Sequence, residues 1–134
     1  MIVVDANLIG YLYLPSDHSK QAEQALRIDP LWIAPPLWRS ELRNVLALHM
    51  RKGLLSLANA QQTMDAALRL MQGREYETAS HAVLALAASS ACSAYDCEFV
   101  ALAKDLNLPL VTADKQVLTQ FPDVAISLAT FVGG

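Results

Sequence analysis

Short apolar runs alternate with longer helical segments along this chain, and that alternation most narrows what it can fold into. Ile2-Val3-Val4, Leu31-Trp32-Ile33-Ala34 and Pro109-Leu110-Val111-Thr112 are too short for helices and carry the β-branched and aromatic residues that suit strands. Strands that alternate with helices give an α/β fold with a mainly parallel sheet. Glu75-Tyr76-Glu77 and residues 124–128 supply two further candidate strands, which makes a five-stranded sheet. Helices are expected over about 6–13, 17–28, 35–52, 57–72, 80–91, 94–106 and 114–120. Pro15, Gly53, Gly73 and Pro122 punctuate them. Ser16 or Asp17, Thr78 or Ser80, and Ser93 are the candidate helix caps, and Gly133-Gly134 reads as a frayed tail.

Four acids sit at the junctions of this pattern. Asp5 ends the first apolar run, and Asp114 follows the late strand. Glu41 and Asp96 fall in the first turns of two helices. Each has a local explanation. Asp5 and Asp114 are sound N-caps, and Ser93-Ala94-Tyr95-Asp96 resembles a capping box. Helical phase adds something the caps do not explain. At 100° per residue, Leu37, Asn44, Val45 and Leu48 share the side of Glu41, while Arg39 and Arg43 lie opposite. Phe99, Val100 and Ala103 share the side of Asp96, and Glu98 and Asp105 point away. Carboxylates on apolar faces are costly unless something compensates them.

The carboxyl ends of strands in a right-handed parallel sheet share one edge, where ligands bind. All four acids can converge there. Two carboxylates about 5 Å apart repel by about 3 kcal/mol at an effective dielectric near 20. Several such pairs approach the stability of a whole domain, so either some acids protonate or a cation binds. An all-oxygen set without cysteine or paired histidines favours Mg²⁺ or Mn²⁺ over Zn²⁺. The leading chemistry is metal-assisted hydrolysis of a phosphodiester.

Composition sets the outer bounds. At 134 residues and 54% hydrophobic, the chain is expected to form one domain with its own core. The formal net charge of −3 looks wrong for a nucleic-acid binder, yet setting the four acids aside leaves +1. Cys92 and Cys97 read as small buried thiols. The start of the chain lacks a basic leader, and no stretch reaches the roughly 20 apolar residues of a membrane span, so a cytoplasmic protein is expected.

Val4-Asp5-Ala6-Asn7, Ser40-Glu41, Ala94-Tyr95-Asp96 and Thr112-Ala113-Asp114, in this order across nearly the whole chain, resemble the PIN domain. The compact length is similar to that of VapC-type toxins of type II toxin–antitoxin pairs. The resemblance implies a three-layer α/β sandwich, with the sheet between helices, and a Mg²⁺- or Mn²⁺-dependent endoribonuclease. It implies that Asp5, Glu41, Asp96 and Asp114 form the catalytic and metal-binding quartet, supported by Asn7 and Thr112. It implies in-line attack of an activated water on RNA with the 3′-oxygen leaving, a homodimer, and inhibition by a cognate antitoxin.

Two other classes are weaker. A phosphoacceptor domain of the receiver kind wants an acidic pair after the first strand and a lysine ending a late one. Here Ala6-Asn7 follows Asp5, and Thr112 ends the late strand. A non-catalytic PIN-like binding module is expected to lose acids, and all four positions are filled. Arg39 and Arg43, one helical turn apart, are candidate RNA phosphate contacts. Tyr11, Tyr13 and Trp38 are read as packing residues that can otherwise stack on bases. Leu42, Leu46 and Met50 form a second apolar stripe, read as core or as a partner surface. His18, His49 and His81 are scattered and read as surface residues, which leaves no histidine general base.

Overall fold

A computed structural model of the protein describes residues 1–133. The C-terminal Gly134 of the expected frayed tail lies outside them. Four strands, β1 (Ile2–Val4), β2 (Trp32–Ile33), β3 (Leu110–Thr112) and β4 (Ala125–Ser127), form one parallel sheet in the order β2-β1-β3-β4. β1 sits centrally, with Val3 opposite Ile33 on one side and Leu110 on the other. All three of its residues are buried, as a strand with both faces covered requires.

The helices are α1 (Ala6–Tyr13), α2 (Ser19–Ile28), α3 (Trp38–Arg51), α4 (Leu57–Leu70), α5 (Ser80–Ala88), α6 (Ala94–Leu106), α7 (Lys115–Gln120) and α8 (Leu128–Phe131). They flank the sheet. α6 packs on β1 and β3, α5 packs on α6, and α1 lies against α2 and α3. Gly53 and Gly73 adopt φ of +73° and +75° just beyond α3 and α4, where a side chain would be strained. Leu42 and Leu46 of the apolar stripe are buried in the core beside Trp38, and Met50 is half-buried against it. Cys92 and Cys97 are buried free thiols, as expected.

Several expectations need correction. The sheet has four strands, not five. Glu75 makes only an isolated parallel bridge to Ala34, although Tyr76 also donates its N–H to the Ala34 carbonyl. The Glu75 side chain turns to other work, described below. α2 begins at Ser19 with no side-chain cap, because the Ser16 and Ser19 hydroxyls bond each other, and Ser19 donates onward to the Leu14 carbonyl. α5 is likewise uncapped by Thr78 or Ser80 and ends at Ala88. Pro35 and Pro36 form a turn ahead of α3, accepting from Trp38 and Arg39, rather than its first helical turn. The four-residue α8, capped by Ser127, had no sequence expectation.

Leu42 is wholly buried, and its Cδ1 lies where a side chain on Gly10 would make ordinary contact, which marks the close approach of α1 to α3. Leu42→Ala is expected to lower stability by about 2–5 kcal/mol, read as a shift of the denaturation midpoint in urea with an unchanged slope. A loss under about 1 kcal/mol would show that the α1–α3 contact is not part of the core.

Candidate active site

Asp5, Glu41, Asp96 and Asp114 line one cavity of about 190 Å³ at the carboxyl edge of the sheet. Asn7, Asn44, Val45, Phe99, Thr112 and Val117 complete much of its wall. All four acids and both supporting residues expected from the sequence therefore meet. Helical phase placed Asn44 and Val45 on the side of Glu41 and Phe99 on the side of Asp96, but nothing in the sequence marked Val117 as a cleft residue.

Each acid is held by the element that delivers it. Asp5 caps α1, accepting from the Leu8 N–H at 2.9 Å. Asp114 caps α7, accepting from the N–H groups of Gln116 and Val117. Ser93 caps α6 by accepting from the Asp96 N–H, which fixes Asp96 in the first turn. The buried Thr112 joins two strand ends. Its hydroxyl donates to the second Asp5 oxygen at 2.5 Å, and its oxygen accepts the Asp114 N–H at 3.0 Å. Glu41 has no hydrogen-bond partner of this kind. Its helical face is also wetter than the phase argument implied, because Asn44 is exposed and Leu48 is 44% exposed. Glu41 is a half-buried residue at the rim of a cleft.

The electrostatics follow from this packing. Burial pushes the Asp5 carboxyl up, and Asp114 and Asp96 add to the rise, against the Thr112 and Leu8 hydrogen bonds. Burial and the Asp114 charge raise Asp96, opposed by Ser93. Glu41 is pushed up to about 7 by burial first, then by Asp5, Asp96 and Glu98. Glu98 was expected to point away, yet it is half-buried and its charge reaches Glu41. Tyr11 is raised by burial and by the charges of Asp5 and Asp114.

The cations lie elsewhere. Arg39 makes a two-pronged ion pair with Glu75, with both contacts at 2.6 Å. Glu75 also accepts from the indole N–H of the buried Trp38 at 2.7 Å. Arg39, expected as a phosphate contact, is therefore already paired with a carboxylate, while its side chain stays 47% exposed. Arg43 is exposed and reaches back to the Arg39 carbonyl and the Ser40 hydroxyl. Among the described residues none of the four cleft acids is ion-paired.

The donor set suits a hard divalent cation: it is all oxygen, with Asp5, Glu41 and Asp96 raised in pKa first by burial and then by neighbouring carboxylates, and unmatched by protein charge among the described residues. Among the described residues, no three His, Cys, Asp or Glu side chains are already drawn into a coordinating group.

A parallel α/β sheet whose carboxyl edge carries such an acidic cleft defines a recognisable class. The family profile of the PIN domain matches residues 2–125, and the chain belongs to that family. It is 32% identical over 124 residues to "Ribonuclease VapC3" of Pyrobaculum aerophilum, an alignment covering 90% of this chain and 95% of that protein. The fold resembles the crystal structure of PAE2754 from Pyrobaculum aerophilum, with a TM-score of 0.78 at 22% identity, covering 98% of this chain and 92% of that one. It also resembles that of FitAcB from Neisseria gonorrhoeae, with a TM-score of 0.72 at 21% identity, covering 95% and 96%. No helix among the described residues is long and apolar enough to cross a membrane.

Glu41 ties pH to stability with a definite sign. Its pKa is raised on folding from 4.5 to about 7, so the folded state holds the proton more tightly. Its contribution is fully present below pH 4.5 and is lost as pH rises through about 7. In EDTA, the melting temperature of the wild type is expected to fall relative to that of Glu41→Gln across this window, leaving the variant the more stable above it. Parallel Tm–pH curves for the two proteins would remove Glu41 from the repelling cluster.

Proposed function

We propose that this chain is a Mg²⁺- or Mn²⁺-dependent endoribonuclease acting as a single PIN unit. We further propose that it is the toxin of a type II toxin–antitoxin pair, working in the cytoplasm as a homodimer restrained by an antitoxin. The observation that carries the enzymatic reading is the delivery of four carboxylates, with no protein counter-charge, into one cavity. The 32% identity to a protein named as a ribonuclease supports it.

Asp5, Glu41, Asp96 and Asp114 would hold the cation. A bound divalent ion supplies Lewis acidity at the phosphate and at an attacking water. The protein does the rest by positioning. Thr112 and the Leu8 N–H occupy both Asp5 oxygens from the protein side and fix that carboxylate's plane. Asp114 and Asp96 stand on capped helix starts, where backbone bonds resist the repulsion between them. In the cation-free protein Glu41, with its pKa about 7, exchanges a proton near neutrality, and a bound cation would displace that proton. Water attacks phosphorus opposite the departing 3′-oxygen, leaving 5′-phosphate and 3′-hydroxyl ends.

Asp5→Asn keeps a capping side chain, and Asp96→Asn leaves the Ser93 cap in place, so both variants are expected to fold. Each is expected to lower Mn²⁺-dependent cleavage of single-stranded RNA by about a hundredfold or more, with an unchanged circular dichroism spectrum. EDTA is expected to stop the wild type. Undiminished cleavage by either variant would remove that residue from the site. RNA binding without metal-dependent cleavage by the wild type would replace the enzyme with a binding module.

A further inference from the structure

A second, smaller cavity of about 110 Å³ adjoins the acidic cleft, and Asn7 and Val45 line both. Helical spacing produces it. Asn7 and Tyr11 are four apart on α1, and Glu41, Val45 and His49 are four apart on α3. The two helices pack together, and the two cavities lie side by side with Asn7 and Val45 as their shared wall. From Glu41 to His49 the face of α3 spans about 12 Å along the helix axis.

The lining is aromatic and uncharged. Tyr11 and His49 meet apolar Leu14 and Pro15, with no Asp, Glu, Lys or Arg among the wall residues. His18 packs against Tyr11, with ring centroids 4.7 Å apart and the rings tilted by 31°. His49 Nδ1 lies 2.9 Å from the Val45 carbonyl. A carbonyl only accepts, so Nδ1 carries the hydrogen and Nε2 of the neutral ring is an acceptor. The Asn7 amide adds donors and an acceptor in the wall shared with the cleft. Trp38 is buried and Tyr13 bonds the Ala66 carbonyl, which leaves Tyr11 as the aromatic, of the three weighed for stacking, that reaches a cavity beside the acids.

An uncharged aromatic slot with a hydrogen-bonding edge, adjoining a phosphodiester site, matches one part of an RNA chain. We propose that this cavity is a nucleobase subsite, in which Tyr11 stacks on, and His49 and Asn7 read, the base of a nucleotide flanking the scissile phosphate. The assignment rests on the ribonuclease reading above. It makes the cavity a source of sequence preference, which the acids themselves do not supply.

The test uses the full chain in Ca²⁺, which neutralises the acidic cleft in place of the catalytic ion, and single-stranded RNA oligonucleotides carrying one 2-aminopurine at successive positions. The wild type is expected to quench one position strongly, and Tyr11→Leu, which keeps apolar bulk without the ring, to lose that quenching. Tyr11→Phe is expected to retain it. In Mn²⁺, Tyr11→Leu is expected to raise KM about tenfold with kcat little changed, and an abasic nucleotide at the quenched position to erase the difference. Thermal melts check that the variants are folded. Equal quenching by wild type and Tyr11→Leu overturns the subsite. So does a Tyr11→Leu effect confined to oligomeric state on gel filtration, which would mark a protein contact. Absence of cleavage by the wild type bears instead on the nuclease reading, because the quenching arm needs no catalysis.

Discussion

Asp5, Glu41, Asp96 and Asp114 face one cavity without a protein cation among them, and the local structure exists to hold that arrangement against its own repulsion. Backbone N–H groups and hydroxyls provide the restraint. Asp5 and Asp114 each accept amide hydrogens at a helix start, where the helix dipole also favours negative charge. Thr112 then ties the two strand ends together through one hydroxyl group. Glu41 lacks such help, and it is the acid whose pKa climbs to about 7.

The fixed partners of Arg39 sharpen this picture. Its guanidinium lies within the α3 first turn, close in sequence to Glu41, yet Glu75 takes both prongs. Glu75 also satisfies the Trp38 indole, so a single carboxylate anchors the start of α3 to the segment beside β2. This leaves the cleft negative and rigid at the same time.

The sequence revealed what local rules govern. The runs that became β1 and β3, the helix after Ser93, and the stops at Gly53 and Gly73 follow from propensity and capping. The acidic quartet was legible because parallel topology sends strand ends to one edge. The misreadings came from non-local competition. Glu75-Tyr76-Glu77 has strand-like alternation, but Glu75 is drawn to residues 36 and 37 positions earlier. Ser16 and Asp17 look like caps, but Ser16 pairs with Ser19 instead. The Tyr11–His49 cavity was hidden because its residues are scattered in sequence and join only when α1 meets α3.

The central position of β1 carries a further consequence for the order of assembly. Asp5 and its Thr112 partner are 107 residues apart, and β1 must await β3 to complete the middle of the sheet. Chains emerge from the ribosome N-terminus first, and pairings this distant form late. Asp5 therefore waits through the synthesis of 107 further residues for its hydroxyl tether. The acidic cleft comes into being only once the chain has been made as far as Asp114.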